Sequence, residues 1–146
     1  MPDGLLIFLL LLIVGCTISW IFVNGHDEKL KQQALEHMKG RPSLTDSGFG
    51  RRFYDGDVAA AAARVRKVLS NVIRYDTAQV IATDRLEDDL KLGALDSLGY
   101  LDLLFRLEKE FGVKIARSEC EKLRSVDDVV QLLVRLSPPT VDVDHP

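Results

Sequence analysis

The sequence predicts an all-α protein in which a single membrane helix precedes a bundle of four helices, three of them long and one short. A run of 19 uncharged residues, from Leu5 to Val23, is long enough to cross a bilayer. Three later segments repeat apolar residues at spacings of three and four, which is typical of amphipathic helices. Residues that commonly begin and end helices flank these segments, among them Ser97, Gly112 and Ser125.

Composition restricts the classes of function. The 146 residues have room for one ordinary domain with extra segments. A net charge of −3 argues against a nucleic-acid partner. Cys16 and Cys120 lie in different contexts, one apolar and one polar, so we expect no disulfide. The three histidines are scattered without metal-ligand spacing, so we expect no metal site.

Residues 1–24 are predicted to form a transmembrane anchor. At ~1.5 Å per residue, the apolar run from 5 to 23 reaches about 28 Å, which is close to the thickness of a bilayer core. Trp20 lies near one end, where an indole suits the headgroup interface. Two alternatives remain open: a lipoprotein signal, because Ile13–Cys16 resembles a lipobox, and a cleaved signal peptide, although no basic residue precedes the run.

Lysine and arginine follow the run but do not precede it. The basic residues nearest to its end are Lys29, Lys31, Lys39 and Arg41. Because positively charged loops stay inside, a retained anchor predicts a single-pass protein of the cell (inner) membrane with its C-terminal part in the cytoplasm.

Residues 25–56 are predicted to connect the anchor to the folded domain. His26 to Lys39 has the composition of a short juxtamembrane helix. Gly40 to Gly56 has no clear period and contains Gly, Ser, Asp and Arg, so we expect a flexible tether there.

Residues 57–137 contain the predicted bundle. A first helix is expected from Val58 to about Arg74, with Asp57 as its N-cap and with Arg66 mostly on its wet side. A long loop containing the acidic cluster 87–89 leads to a second helix that begins at Asp96 or Ser97 and ends at Gly112. A short helix is expected around 118–123, and a capping box at 125–128 begins the last helix, which Pro138-Pro139 stops. The tail 138–146 is predicted to be disordered.

Asp96-Ser97 admits a purely structural interpretation, since both residues are good N-caps. No activating base or nucleophile elbow accompanies Ser97, which argues against a hydrolase, the third option, and no catalytic residue is predicted. A phosphodiester on this hydroxyl, however, would lie at a helix N-terminus, where free N–H groups favour an anion.

The order of these elements resembles the acyl carrier protein family, which includes peptidyl and D-alanyl carrier domains. The resemblance covers about 58–136 and is carried by the segments 86–90, 92–98, 107–115 and 125–130. It implies an acyl-carrier-like four-helix bundle in which Ser97 receives 4′-phosphopantetheine from coenzyme A. The thiol of that arm would carry an acyl group as a thioester.

The resemblance also implies roles for other residues. Asp96 and Leu98 would flank the attachment site on Ser97. The residues implied to line an acyl pocket are Leu103, Leu107, Cys120 and Leu123, each of which is equally well explained as plain core. The acidic residues implied to dock partners are Asp102, Glu108 and Glu110, although Arg106 and Lys109 dilute this acidic face.

Two functional hypotheses follow. The first is a membrane-tethered carrier that holds acyl or aminoacyl groups for enzymes of lipid, fatty acid or related biosynthesis. Its partners would be a phosphopantetheinyl transferase, acyl-loading and acyl-transferring enzymes, and the membrane through residues 5–23. The second is a membrane-anchored helical adaptor with a carrier-like fold and no prosthetic group.

Overall fold

A computed structural model describes residues 3–93 and 97–137. These ranges contain six helices and no strand, which confirms the all-α prediction. The helices are α1 (Asp3–Met38), α2 (Asp46–Phe53), α3 (Gly56–Val72), α4 (Leu98–Phe111), α5 (Arg117–Cys120) and α6 (Val126–Leu136). Asp96 and the predicted disordered tail 138–146 lie outside the described residues.

The N-terminal helix α1 is continuous from the apolar run into the segment that follows it. The large apolar side chains from Leu5 to Val23 are all exposed, whereas the core helix of a soluble protein would bury them. The helix is long and apolar enough to cross a membrane. Near its C-terminal end, Ala34 and Met38 are completely buried against the rest of the chain. One helix therefore carries both the apolar run and part of the domain core.

The prediction of a flexible tether at 40–56 is wrong for its central part, because residues 46–53 form α2. Thr45 caps this helix by accepting a hydrogen bond from the Gly48 amide at 3.0 Å. Phe49 is fully buried. Gly50 lies so close to α3 that an added Cβ would overlap the Ala59 carbonyl oxygen. The domain core thus extends N-terminally beyond residue 57, as far as Met38.

The helix α3 supplies the central wall of the core, and α2, α4 and α6 pack against it. It begins at Gly56, and its N-cap is Asp55 rather than the predicted Asp57. The expectation that Arg66 faces solvent is also wrong, since this residue is 3 % exposed. Its guanidinium donates to the carbonyls of Leu44 at 2.7 Å and Thr77 at 2.9 Å, and joins α3 to both neighbouring segments.

The ends of α4 and α6 agree with the sequence. Ser97 caps α4, and Gly112 ends it in the left-handed conformation with φ 64°. Ser125 and Asp128 form the predicted capping box of α6. The short helix α5 begins one residue earlier than expected and ends at Cys120.

The described part of the loop between α3 and α4 is fixed to the bundle. Leu86 and Leu90 are each 1 % exposed. Backbone hydrogen bonds join this loop to the α5–α6 connection, with Leu86 N donating to Arg124 O and Val126 N donating to Asp84 O. The Tyr75 hydroxyl donates to the Leu90 carbonyl at 2.6 Å. The described part of the loop is therefore held against the bundle.

Candidate functional site

The candidate site is the first turn of α4, where Ser97 lies partly exposed. Its Oγ accepts a hydrogen bond from the Tyr100 amide at 3.2 Å and donates one to the Leu92 carbonyl at 3.0 Å. Both partners are backbone groups, and among the described residues no histidine or carboxylate lies in hydrogen-bond contact with this hydroxyl. The geometry is that of a helix cap and supplies no base for nucleophilic attack.

The free space beside the Ser97 hydroxyl depends on the absence of a side chain at Gly93. A Cβ at position 93 would lie 2.9 Å from Ser97 Oγ and 3.0 Å from Ser97 Cβ, and Gly93 has φ +86°, which L residues rarely adopt. Any side chain here would press on the hydroxyl. Sequence reasoning missed Gly93 as a site residue, because its position against Ser97 depends on how the loop returns to α4.

A cavity of about 300 Å³ lies next to this opening. Gly93 and Tyr100 form one part of its lining, and Cys120 and Leu123 form another. Two of the residues implied to line an acyl pocket are therefore at this cavity. The other two, Leu103 and Leu107, are fully buried in the bundle core and do not line it.

Buried groups in this region have shifted pKa values. Burial raises the pKa of the Tyr100 hydroxyl to about 12. Burial also raises the pKa of the Cys120 thiol, although its own backbone hydrogen bond opposes the change. At neutral pH both groups stay protonated, so Cys120 contributes apolar surface and is no thiolate nucleophile.

The three implied docking carboxylates already have partners within the chain. Asp102 pairs with Arg106 at 3.0 Å, and Glu110 pairs with Arg64 at 3.1 Å. Glu108 accepts a hydrogen bond from the Ile115 amide at 2.8 Å and lies 3.5 Å from Lys114. These charges would therefore meet a partner as ion pairs rather than as free carboxylates.

An exposed apolar stripe runs along α4 from the site. Leu98 is 86 % exposed, Leu101 51 % and Phe105 64 %. Leu98 was expected at the site but not as part of a stripe, and Phe105 was not expected to have a role. The spacing of three and four from Leu98 is visible in the sequence, but a second apolar face, through Leu103 and Leu107, competed with it as the core side.

The described residues thus form an all-helical domain. At the N-terminus of α4, Ser97 caps the helix, and Gly93 beside it has no side chain that would cover the hydroxyl. The family model described as "Phosphopantetheine attachment site" matches residues 63–133. The acyl carrier protein of Thermotoga maritima is 38 % identical over 71 residues, which cover 49 % of this chain and 84 % of that protein. The acyl carrier protein of Thermosynechococcus vestitus is 33 % identical over 70 residues, covering 48 % of this chain and 83 % of that protein.

The chain belongs to the acyl carrier protein family. It is a non-catalytic carrier with covalently attached 4′-phosphopantetheine, and it interacts with a phosphopantetheinyl transferase and with acyl-handling enzymes. This decides against the hypothesis of an adaptor without a prosthetic group. The match begins at residue 63, so α1 and α2 lie outside it.

The residues at the mouth of α4 fit this prosthetic group. A partly exposed hydroxyl at the N-terminus of a 14-residue helix suits a phosphodiester, because the first N–H groups of a helix lack partners within it. If Ser97 were esterified, its Oγ could still accept from the Tyr100 amide but could no longer donate to the Leu92 carbonyl. Gly93 has no side chain that would press on the Ser97 hydroxyl. When bound, the group supplies a thiol that holds the cargo as a thioester.

Proposed function

We propose that this chain is a membrane-tethered carrier whose phosphopantetheine arm is attached to Ser97. The observation that carries the assignment is the position of Ser97, partly exposed at the N-cap of α4 with Gly93 against its hydroxyl. In this proposal Asp96 and Leu98 flank the attachment point. The cargo is an acyl or aminoacyl group, delivered to enzymes of lipid, fatty acid or related biosynthesis.

The membrane part of the proposal rests on α1. Its apolar run from 5 to 23 is exposed along its whole length, and the same helix continues to Met38 in the domain core. The continuity of α1 favours an anchor that is retained. Cleavage would cut a single helix whose C-terminal part is packed in the domain core. With basic residues only on the C-terminal side of the run, the carrier domain is assigned to the cytoplasmic face of the cell membrane.

Partner enzymes are proposed to dock on the exposed face of α4. Leu98, Leu101 and Phe105 supply apolar contact area. Asp102, Glu108 and Glu110 are the charged residues of α4 proposed to take part in docking. The acyl chain is proposed to enter the cavity at Cys120 and Leu123, and Leu103 and Leu107 form the packed wall behind it.

The attachment claim is tested by intact mass spectrometry after coexpression with a phosphopantetheinyl transferase. The expected result is a gain of one phosphopantetheine on the wild-type chain and none on Ser97→Ala. A gain that survives Ser97→Ala would place the arm on another residue. Ser97→Asp is the matched variant, because aspartate also caps a helix but has no hydroxyl to esterify.

A further inference from the structure

The α1 helix is fixed to the domain core by both apolar and charged contacts. Met38 is fully buried in the core. Arg41, just after the helix, donates from Nη1 to both carboxylate oxygens of Asp84, at 2.9 and 2.8 Å. Gln79 donates from its amide to the Arg41 carbonyl. We call Met38, Arg41 and Asp84 the α1 clamp.

The α1 clamp is not a weak surface contact. Asp84 is 2 % exposed and also accepts a hydrogen bond from the Ile81 amide at 2.9 Å. A carboxylate so deeply buried requires its cationic partner, because an unpaired buried charge is strongly unfavourable. His37 of α1 adds to this junction, with its Nε2 lying 3.5 Å from Asp84 and 3.4 Å from Asp89. The carrier domain is therefore docked on α1, in contrast to the flexible attachment predicted from sequence.

Docking determines which end of the carrier domain lies along the membrane-proximal part of α1. A groove separates α1 residues 24–31 from the rest of the domain. On the domain side it is lined by Tyr75, the segment 90–92, and the first turn of α4 at Leu98 and Gly99. The first turn of α4, directly after Ser97, thus lies across this groove from the α1 segment that follows the apolar run.

The distance from this groove to the bilayer is set by helix geometry. Residues 24–31 are one to eight positions beyond Val23, so at ~1.5 Å per residue they lie within about 12 Å of the end of the apolar run. Lys109, near the other end of the 14-residue helix, does not line this groove. A membrane-inserted α1 therefore holds the first turn of α4 next to the segment that leaves the bilayer.

We propose that α1 acts as a rigid support that presents the arm on Ser97 to the lipid headgroup layer in a fixed orientation. This rests on the proposed function, in which Ser97 bears the arm and α1 spans the membrane. Cargo leaves the carrier at headgroup level, where an acyl-accepting enzyme of the membrane has access to it.

The experiment measures the depth of two positions on α4 in the full-length chain. Single cysteines, Ser97→Cys or Lys109→Cys, are placed in a Cys16→Ala, Cys120→Ala background, labelled with bimane and reconstituted into vesicles of phosphatidylethanolamine and phosphatidylglycerol. A quencher is attached to the lipid headgroups. The expected result is severalfold stronger quenching at position 97 than at position 109. Equal quenching, or stronger quenching at 109, would overturn the proposal.

A second variant tests whether α1 itself fixes the orientation. A flexible Gly-Ser insertion between Gly25 and His26 separates the apolar run from the docked part of α1 and leaves the α1 clamp intact. The difference between positions 97 and 109 is expected to disappear, and a difference that persists would contradict a rigid support. Lys39→Ala, at a side chain that is 74 % exposed, is the control that leaves the difference unchanged.

These readouts do not require the arm. Because the label is on a cysteine, the orientation is measured whether or not Ser97 is modified. Failure of the proposed attachment appears separately, as the absence of the mass gain on the wild-type chain.

Discussion

The Tyr100 hydroxyl donates a hydrogen bond to the Cys120 backbone carbonyl at 3.2 Å, and thereby ties the first turn of α4 to the end of α5. Tyr100 is also the residue whose amide is bonded to Ser97 Oγ. Tyr100 thus connects the N-cap of α4 to the part of the cavity lining that contains Cys120. Tyr100 and Cys120 both line this cavity, so the bond joins two parts of its wall.

Tyr100→Phe is expected to lower the free energy of unfolding at neutral pH by about 1 kcal/mol, the usual loss for one hydrogen bond. The loss stays moderate because the Cys120 carbonyl keeps a bond from the Leu123 amide. Urea denaturation measures this loss in the free energy of unfolding. An unchanged midpoint would show that the hydroxyl contributes nothing to the packing of α5.

The same variant is expected to show a pH effect of known sign. Burial raises the pKa of Tyr100 to about 12, above its value of about 10 in the unfolded chain. Between these values the unfolded state loses the proton first, so the stability due to Tyr100 falls as pH rises from 10 to 12. The gap between wild type and Tyr100→Phe should therefore narrow across this range. Burial also raises the pKa values of Tyr54 and Tyr75, but these residues are present in both proteins and cancel.

The two roles of Ser97, cap and attachment point, are separable by substitution. Ser97→Ala should cost about 1 kcal/mol of stability through loss of the cap, whereas Ser97→Asp should cost much less. Neither variant should gain an arm. Urea denaturation and intact mass, measured on the same samples, distinguish the roles. A Ser97→Asp protein as unstable as Ser97→Ala would contradict the importance of the cap.

Gly93→Ala should impair the site more than its backbone strain alone explains. Gly93 and Gly112 both have positive φ, so alanine at either position costs about 1–2 kcal/mol. Only at position 93 does the added Cβ meet Ser97, at 2.9 Å, since nothing lies within 4 Å at position 112. The rate of arm transfer, measured at equal folded fraction, should therefore fall in Gly93→Ala and remain unchanged in Gly112→Ala. Equal rates in the two variants would remove Gly93 from the site.

Arg66 is expected to be a major contributor to stability. Arg66→Met leaves the carbonyls of Leu44 and Thr77 without the guanidinium and should cost about 2–3 kcal/mol, the range for hydrogen bonds to charged groups. Lys67→Met, at the exposed neighbouring position, is the matched control and should change stability by less than about 0.5 kcal/mol. Thermal and urea denaturation compare the two. Similar losses in both variants would contradict the structural role of Arg66.

What the sequence predicted correctly was encoded locally. The ends of α4 and α6 depend on caps made within four residues, such as Ser97 to Tyr100 and Ser125 to Asp128, and these were recognisable. The helix α2 was not recognisable in the sequence. Its Gly- and Arg-containing segment becomes stable only when Gly50 approaches Ala59 and Phe49 enters the core. The same holds at the site: the Asp-Ser-Leu motif pointed to Ser97, but the place of Gly93 against it depends on tertiary structure.

The spacing of apolar residues also could not predict that a charged residue is buried. Arg66 lies among polar residues that were expected on the wet side of the helix, and its partners are carbonyls 22 and 11 positions away. Arg41 is similar, since the carboxylate that it binds is 43 positions away. Such pairs join segments that are far apart in the chain, and the sequence around one partner does not indicate the other.

The exposed stripe on α4 leads to the last prediction, which concerns partner docking. Phe105 is 64 % exposed and extends the apolar surface of Leu98 and Leu101 two turns from the site. Phe105→Ser removes apolar contact area from a surface proposed to be buried by the transferase. We expect kcat/KM for arm transfer to fall about tenfold, which corresponds to 1.4 kcal/mol of lost binding. Because Phe105 is outside the core, the free energy of unfolding should change little. Asn71→Ala, at an exposed position of α3, is the control and should leave transfer unaffected. Unchanged kcat/KM in Phe105→Ser would mean that the transferase docks elsewhere than on this stripe.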